Sequence, residues 1–288
     1  MKWMQVRFIV VCVISVLLSA VGSAEKPSGQ PIVYKTVDGV DLSIYVSRPQ
    51  GWNSKDSRPA IVFFHGGGWT GGAPGQFTKH AEHYAGRGLV CFQVQYRLLD
   101  RKSTDPPEVC LRDARSAMRF VRSRAAEFGV DPDRIASSGG SAGGHLAAGL
   151  GTLKGCDEPG EDTSVSVVPN AMILFNPVFD NGPDCWGHQR VGDRYPEFSP
   201  AHNISQTTPP AIVFLGDSDK LIPVSTLTEF QKKMQAAGVR CETQIFPGMP
   251  HGFFNHGKYD NRPYEETIRA TDRFLESLGW LKSEASGE

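Results

Sequence analysis

The sequence predicts an α/β fold with a mostly parallel central sheet, helices on both faces and an antiparallel N-terminal hairpin. Amphipathic helical patterns alternate with short apolar runs, an order that gives a parallel sheet covered on both sides. The runs are nearly continuous in apolar residues, which is typical of strands buried on both faces. They occupy residues 60–64, 89–95, 134–138, 171–175 and 211–215.

The first element predicted is the hairpin. Two β-rich runs, residues 31–37 and 40–46, flank the dipeptide Asp38-Gly39. Asp-Gly between two such runs is a strong indication of a two-residue hairpin turn. The N-terminal part is therefore predicted to lie antiparallel at the edge of the sheet, without a helical cap ahead of it.

The helices follow from periodicity and end residues. Asp105 precedes Pro106 and Pro107, an N-cap pattern, and Gly129 has the position of a C-terminal glycine. Between them, apolar residues recur at three- and four-residue spacing: Leu111, Ala114, Met118, Val121, Ala125 and Phe128. The same reasoning predicts a helix over 224–237, a strand over 240–246 and a last helix over 267–278.

Two segments interrupt the alternation. Residues 151–168 are polar and acidic, which predicts a surface loop. Residues 176–210 lie between two core strands and carry Trp186, Tyr195, Phe198 and several prolines. The sequence leaves two interpretations of this second segment open, a lid or insertion over the site and an irregular crossover connection.

Length and composition fit one large domain over residues 25–288. The chain has 288 residues, 40% of them hydrophobic. Lys2 and Arg7 form a positively charged segment before an apolar stretch, residues 8–18, and the small residues Gly22, Ser23 and Ala24 follow it. This pattern predicts a signal peptide over residues 1–24, cleaved after Ala24, since the apolar stretch is too short to span a bilayer. We expect a secreted or periplasmic protein with no stable membrane anchor.

Charge and cysteine content limit the possible binding partners and disulfide bonds. The formal net charge is −1 with no run of lysine or arginine, which argues against nucleic acid as a partner. Beyond the predicted signal peptide the chain keeps an odd number of cysteines, so at least one is unpaired within it. Cys156 and Cys185 lie in polar loops, and a disulfide between them is left open.

The nucleophile motif is a G-x-S-x-G. Ser141 lies in Gly139-Gly140-Ser141-Ala142-Gly143, between a predicted strand and a predicted helix. A sharp strand-to-helix turn exposes the serine hydroxyl, and the flanking glycines allow the backbone to bend without a Cβ clash. The setting makes Ser141 the predicted nucleophile.

Three further segments supply the other groups. His65-Gly66-Gly67-Gly68-Trp69 follows a buried strand, and its glycine N–H groups are suited to stabilising an oxyanion. An acidic loop after another strand carries Asp217 and Asp219, and His251 lies in a later Pro- and Gly-flanked loop. The order serine, aspartate, histidine is the one that the α/β-hydrolase arrangement requires.

These motifs resemble the HGGG-type esterases of the α/β-hydrolase superfamily, the hormone-sensitive-lipase-like group with its acetyl and feruloyl esterase relatives. The resemblance runs from about Ile32 to the C-terminus and also includes Tyr96-Arg97-Leu98 and Pro250-His251-Gly252-Phe253. It favours Asp219 as the triad acid, because the spacing from Gly216 to Leu221-Ile222-Pro223 matches the family pattern, with Asp217 in reserve.

The expected roles follow from this chemistry. Ser141 attacks the ester, His251 is the general base, and Asp219 orients the imidazole. The Ala142 N–H and donors from Gly66 or Gly67 form the oxyanion hole. Trp69 is expected to wall the acyl pocket, against the simpler alternative that it is packed. This mechanism requires no metal or cofactor. His80 and His83 lie three apart on a predicted helix without a third ligand, which favours a solvated helix face over a metal site, and His145 is expected to be packed.

The predicted activity is hydrolysis of short-chain acyl esters through an acyl-enzyme. Few residues precede the first core strand, so the site should be less covered than in relatives with a helical cap, which favours polysaccharide or plant-wall esters. Two alternatives stay open: a peptidase of the prolyl-oligopeptidase type and a non-catalytic binding protein with a hydrolase fold.

Overall fold

The computed structural model describes residues 25–283, which form one eight-stranded sheet in the order β1-β2-β4-β3-β5-β6-β7-β8. The strands are β1 Gln30–Val37, β2 Val40–Ser47, β3 Arg58–Phe64, β4 Val90–Val94, β5 Val130–Gly140, β6 Ala171–Phe175, β7 Ala211–Gly216 and β8 Cys241–Phe246. The helices are α1 Thr78–Gly86, α2 Glu108–Ser123, α3 Ala142–Thr152, α4 His188–Val191, α5 Tyr195–Phe198, α6 Val224–Ala236 and α7 Arg262–Ser277. Short 3₁₀ turns include Pro74–Phe77 and Tyr259–Asn261.

The predicted fold class is confirmed. β1 pairs with β2, and β2 with β4, in antiparallel fashion, while the remaining pairs are parallel. Asp38 and Gly39 form the turn between β1 and β2, both with positive φ, 51° and 76°. Positive φ at both central residues is the requirement of a type I′ hairpin turn, and it explains the Asp-Gly dipeptide.

Each face of the sheet has its own core. On one face, side chains of alternate strand positions such as Val62 and Leu174 pack with apolar residues of α2, α3 and α6. On the other face, Ile61, Phe63 and Ile173 pack with α1 and α7. Because successive residues of a strand point to opposite faces, the two sets interleave along each strand, which is why these runs contain almost no polar residue.

The predicted bounds of α2 were wrong at both ends. The helix begins at Glu108 rather than after Asp105, whose carboxylate instead accepts a hydrogen bond from Ser103. With Asp105 as N-cap, Pro106 would have to be the first helical residue, and the helical region is disfavoured for it because it precedes Pro107. The helix ends at Ser123, and a turn then leads to Gly129 with φ 62°. Helix α7 begins at Arg262, five residues before the predicted start.

Residues 176–210 form the crossover from β6 to β7. They contain the one-turn helices α4 and α5 and two 3₁₀ turns, and they bury Val191 and Phe198 against the core. The segment also brings Trp186 to the mouth of the site described below. It is an irregular connection by topology, and its action as a lid stays a prediction.

Two remaining predictions concern the cysteines and the N-terminus. Cys156 and Cys185 are both free, so the disulfide left open by the sequence is absent. The predicted signal peptide over residues 1–24 lies outside the described residues. Within residues 25–283, no helix has the length and apolar character needed to cross a bilayer.

Candidate active site

Ser141 occupies the turn between β5 and α3 with φ 55° and ψ −120°. Its N–H donates to the carbonyl of Phe175 at 2.9 Å, which anchors the turn to β6. A Cβ added at Gly139 would lie 2.3 Å from the Gly143 oxygen, and one at Gly143 would lie 2.0 Å from the Phe64 oxygen. The two outer glycines of the motif are therefore required by backbone contacts on either side of the serine.

Three predicted side chains meet in one hydrogen-bonded line. The Ser141 hydroxyl oxygen lies 2.8 Å from His251 Nε2, and His251 Nδ1 lies 2.7 Å from Asp219 Oδ2. The three residues come from loops that follow β5, β7 and β8, so the ends of parallel strands bring together residues up to 110 positions apart. The arrangement meets the geometric requirement for a nucleophile, a base and an orienting acid.

The environment of Asp219 keeps its carboxylate ionised. Its side chain is fully buried, and burial raises a carboxyl pKa. Hydrogen bonds from His251 and from the N–H groups of Ile222 and Leu221 outweigh that effect, so the pKa of Asp219 lies below its usual range. The two backbone donors both bind Oδ1, at 2.8 and 3.0 Å, and leave Oδ2 for the imidazole.

Asp217, the reserve candidate, has a different position. Its Oδ1 accepts the Gly248 N–H at 2.7 Å, and its own N–H donates to Phe246 O at 3.1 Å. The Ser218 N–H also donates to Met249 O across the same gap. Asp217 therefore ties the loop after β7 to the loop after β8, whereas the imidazole of His251 is bound by Asp219.

Two backbone donors stand unused beside the nucleophile. Within residues 25–283, the N–H groups of Gly67 and Ala142 donate to no protein acceptor. Ala142 is the first residue of α3, where backbone N–H groups have no partner inside the helix. Gly66 differs, because its N–H donates to the Gln76 side chain at 2.6 Å. Of the predicted alternatives Gly66 and Gly67, only Gly67 has a free donor.

The loop that carries Gly67 is held from several sides. The imidazole Nδ1 of His65 donates to Gly66 O at 2.8 Å, and the Tyr96 hydroxyl donates to His65 O at 2.7 Å. Burial lowers the pKa of His65 to about 4, so its imidazole is neutral at physiological pH. A Cβ at Gly72 would lie 2.0 Å from Gly66 O. These contacts fix the direction of the peptide groups that follow.

A cavity of about 340 Å³ opens beside Ser141 and His251, and Trp186 lines it. Trp69, predicted as a wall of this pocket, is fully buried instead, with its ring centroid 4.9 Å from that of Trp186. The neighbouring residues Gly66, Gly67 and Gly68 line the cavity, whereas Trp69 does not. The structure therefore puts Trp186 in the wall, supported from below by Trp69.

Sequence reasoning missed three polar residues around the triad. The carboxamide oxygen of Asn176 accepts the Gly252 N–H at 3.0 Å, and Gln76 and Asn255 line the cavity. Asn176 follows directly on β6, and a polar residue at the end of a buried parallel strand is a recognisable feature of such sites. Gln76 and Asn255 carry no comparable pattern, because both lie in irregular segments far apart in sequence.

His80 and His145 lie outside the site. His80 is fully buried among aromatic rings, which lowers its pKa to about 3, so the expectation of a solvated helix face was wrong. His145 is packed as predicted and its Nε2 donates to Phe198 O at 2.7 Å. Residues 25–283 contain no group of three or more His, Cys, Asp or Glu side chains arranged to hold a metal ion.

Several known proteins that this chain resembles are esterases. The apo form of Thermogutta terrifontis esterase 2 is 43% identical and superposes with a TM-score of 0.85, over 90% of this chain and 98% of that one. Carboxylesterase NlhH of Mycobacterium tuberculosis is 30% identical over 222 residues, which are 70% of this chain and 68% of the relative. This chain belongs to the α/β-hydrolase esterases.

Two family models match different parts of this esterase-family chain. Residues 42–176 match the BD-FAE family, and residues 192–284 match the dienelactone hydrolase family. An acetylxylan esterase of Xylanibacter ruminicola is 27% identical over 78% of the chain. The chain spans about half the length of the first curated relatives it matches, 45% in that case and 56% for Esterase LipC of Mycobacterium tuberculosis.

Proposed function

We propose that this protein is a serine carboxylesterase that cleaves short-chain acyl esters through an acyl-enzyme, with acylated polysaccharide as its substrate class. The observation that carries the proposal is the line from Asp219 through His251 to Ser141, beside the free N–H groups of Gly67 and Ala142. Nucleophile, base and oxyanion donors are the parts that acyl transfer needs.

Acylation uses each group once. The Ser141 oxygen attacks the ester carbonyl carbon while His251 Nε2 removes its proton, and Asp219 stabilises the imidazolium that forms. The carbonyl oxygen becomes an anion and accepts hydrogen bonds from Gly67 and Ala142. When the intermediate collapses, the imidazolium returns the proton to the leaving alcohol, and the acyl group stays on Ser141.

Deacylation repeats the steps with water. His251 Nε2 removes a proton from a water molecule, whose oxygen attacks the acyl carbon, and the same two N–H groups stabilise the second oxyanion. Collapse expels the Ser141 oxygen, which takes back the proton from His251. The products are a carboxylic acid and the regenerated enzyme, with one water consumed.

The proposed preference for short acyl groups is supported by the wall at Trp186. Its ring centroid lies 4.9 Å from that of the fully buried Trp69, and Trp186 lines a cavity of about 340 Å³, so Trp69 packs behind the wall that limits the length of the acyl group. Thermogutta terrifontis esterase 2 has been solved with propionate and with butyrate bound, and also phosphorylated by paraoxon. Those acyl groups are short. Paraoxon phosphorylates that esterase, so an organophosphorus reagent can test whether Ser141 is the nucleophile of this protein.

Replacement of Trp186 by alanine tests the acyl pocket. The larger cavity should accept longer chains, so kcat/KM for p-nitrophenyl octanoate relative to acetate should rise about tenfold, since each methylene gained or lost in an apolar pocket changes rates by about 10-fold or more. The measurement is the ratio of the two kcat/KM values. Trp186→Phe keeps an aromatic wall and should keep the wild-type ratio. An unchanged ratio in Trp186→Ala would place the acyl group elsewhere.

The proposed polymeric substrate is supported by a second, open cavity. It has a volume of about 540 Å³ and shares Gly66, Gly67, Gln76, Asn255 and Lys258 with the cavity at the nucleophile. The two cavities therefore adjoin and form one groove, and Trp186 lines the part at the nucleophile but not the second cavity. Glycine backbone and polar side chains line it, surfaces suited to hydroxyl groups of a sugar chain.

An ester panel on the purified protein tests the function. We expect turnover of p-nitrophenyl acetate and release of acetate from acetylated xylan, with little cleavage of prolyl peptides. Activity on small esters alone would refute the polymer part of the proposal. Cleavage of prolyl peptides in place of esters would favour the peptidase alternative, and no reaction with a fluorophosphonate would favour a binding protein.

A further inference from the structure

Gln76 bridges two loops of the site. It lies in the 3₁₀ turn Pro74–Phe77, and its Oε1 accepts the Gly66 N–H at 2.6 Å. Its Nε2 donates to Asn255 Oδ1 at 3.0 Å, and Asn255 Nδ2 donates in turn to Gly252 O at 2.8 Å. Gly252 is the residue after His251. A chain of three hydrogen bonds therefore joins the loop that carries Gly66 and Gly67, here the glycine loop, to the loop that carries His251 and Gly252, here the histidine loop.

The orientation of each carboxamide is dictated by its partners. A backbone N–H can only donate, so the Gln76 oxygen must face Gly66 and its NH₂ must face Asn255. The Asn255 oxygen then faces Gln76, and its NH₂ faces the carbonyl of Gly252, which can only accept. The chain works in one arrangement, and a carboxylate at either position would break one of its bonds.

At the glycine loop, this chain of hydrogen bonds ends next to the oxyanion hole. A Cβ at Gly66 would lie 3.4 Å from the Ser141 Cβ, so the residue that Gln76 anchors lies next to the nucleophile. The next N–H along the chain is that of Gly67, the donor left free for the oxyanion. The bond to Gln76 fixes the peptide between His65 and Gly66, and the bond from His65 Nδ1 to Gly66 O fixes the next peptide, which carries the Gly67 N–H.

The histidine-loop end is held in the same way. The carbonyl of Gly252 accepts Asn255, and its N–H donates to Asn176 Oδ1 at 3.0 Å. Each of the two peptides that flank Gly252 is thus held by one hydrogen bond. Through Gln76, one of these two supports is shared with the oxyanion loop, so a shift of either loop is transmitted to the other.

We propose that Gln76 and Asn255 form a positioning pair that sets the distance between the oxyanion donor of Gly67 and the imidazole of His251. The proposal rests on the proposed function. Neither side chain takes part in bond making or breaking; the pair acts through Gly66 and Gly252. Misplacement of reacting groups by about 1 Å can cost about 10²-fold in rate, so the pair should affect kcat rather than KM.

The test is Gln76→Glu, which keeps the size and the acceptor for Gly66 but loses the donor to Asn255. We expect kcat for p-nitrophenyl acetate and the rate of fluorophosphonate labelling of Ser141 to fall together by about 10- to 100-fold, with KM within about twofold. Asn255→Ser, which shortens the other partner, should do the same if the glutamate variant folds poorly. Gln235→Glu, the same change on the exposed face of α6, should match the wild type.

A double variant, Gln76→Met with Asn255→Ser, should be no slower than the slower of its two single variants, because residues that act as one unit are not additive. A rise in KM with unchanged kcat would overturn the proposal and make Gln76 a substrate contact. Wild-type rates in Gln76→Glu would also overturn it. If the wild-type protein neither hydrolyses esters nor reacts with the fluorophosphonate, the proposed function itself is refuted, and the positioning pair with it.

Discussion

Replacement of Ser141 by alanine is expected to lower kcat for p-nitrophenyl acetate by at least about 10⁴-fold while the protein remains folded. The reason is that the Ser141 oxygen, which lies 2.8 Å from His251 Nε2, is in position to form the acyl bond. Residual rate above that of water would come from the oxyanion donors alone. Steady-state kinetics and the thermal unfolding midpoint are the two measurements.

A matched control lies on the same strand. Ser138 is buried in β5, and its hydroxyl has no hydrogen-bond partner within residues 25–283, so Ser138→Ala removes an unsatisfied group and should cost neither activity nor stability. Intact mass after fluorophosphonate treatment should show one adduct on the wild type and on Ser138→Ala, and none on Ser141→Ala. Wild-type turnover by Ser141→Ala would remove the serine from the mechanism.

The sequence predicted the parts of the fold that depend on short-range patterns. The type I′ turn at Asp38-Gly39 and the buried strands are encoded in a few neighbouring residues, because backbone φ preferences and burial on both faces act locally. The predicted start of α2 was wrong for an equally local reason: Pro107 disfavours helical backbone at Pro106, and this outweighs the capping tendency of Asp105.

At the site, the order of the motifs along the sequence was enough to identify the three triad residues. It was not enough to identify the oxyanion donor or the tryptophan that lines the pocket. Ser141, Asp219 and His251 follow strands that end at one edge of the sheet, so their convergence follows from topology. Which glycine keeps a free N–H depends on Gln76, ten residues further along, and the choice between Trp69 and Trp186 depends on a contact across 117 residues. Such long-range contacts leave no local pattern to detect.

Asparagine variants of Asp219 and Asp217 test which of the two carboxylates is the catalytic one and which is structural. In Asp219→Asn, the N–H groups of Leu221 and Ile222 still require an oxygen at the Oδ1 position, so the new NH₂ must face His251 Nδ1. An imidazole that accepts at Nδ1 carries its proton on Nε2, toward Ser141, and cannot act as the base.

We therefore expect Asp219→Asn to lower kcat by about 10⁴-fold, as a wrong tautomer does in serine hydrolases, with little change in KM. Asp217→Asn can keep its carbonyl oxygen on the Gly248 N–H and should lose less than about tenfold. Because hydrogen bonds hold the pKa of Asp219 below its usual range, its carboxylate is ionised at every pH above about 5, so the difference should persist across the active pH range. Equal losses in the two variants, or a larger loss in Asp217→Asn, would mean that the acid has been assigned to the wrong residue, since only one of the two carboxylates touches the imidazole.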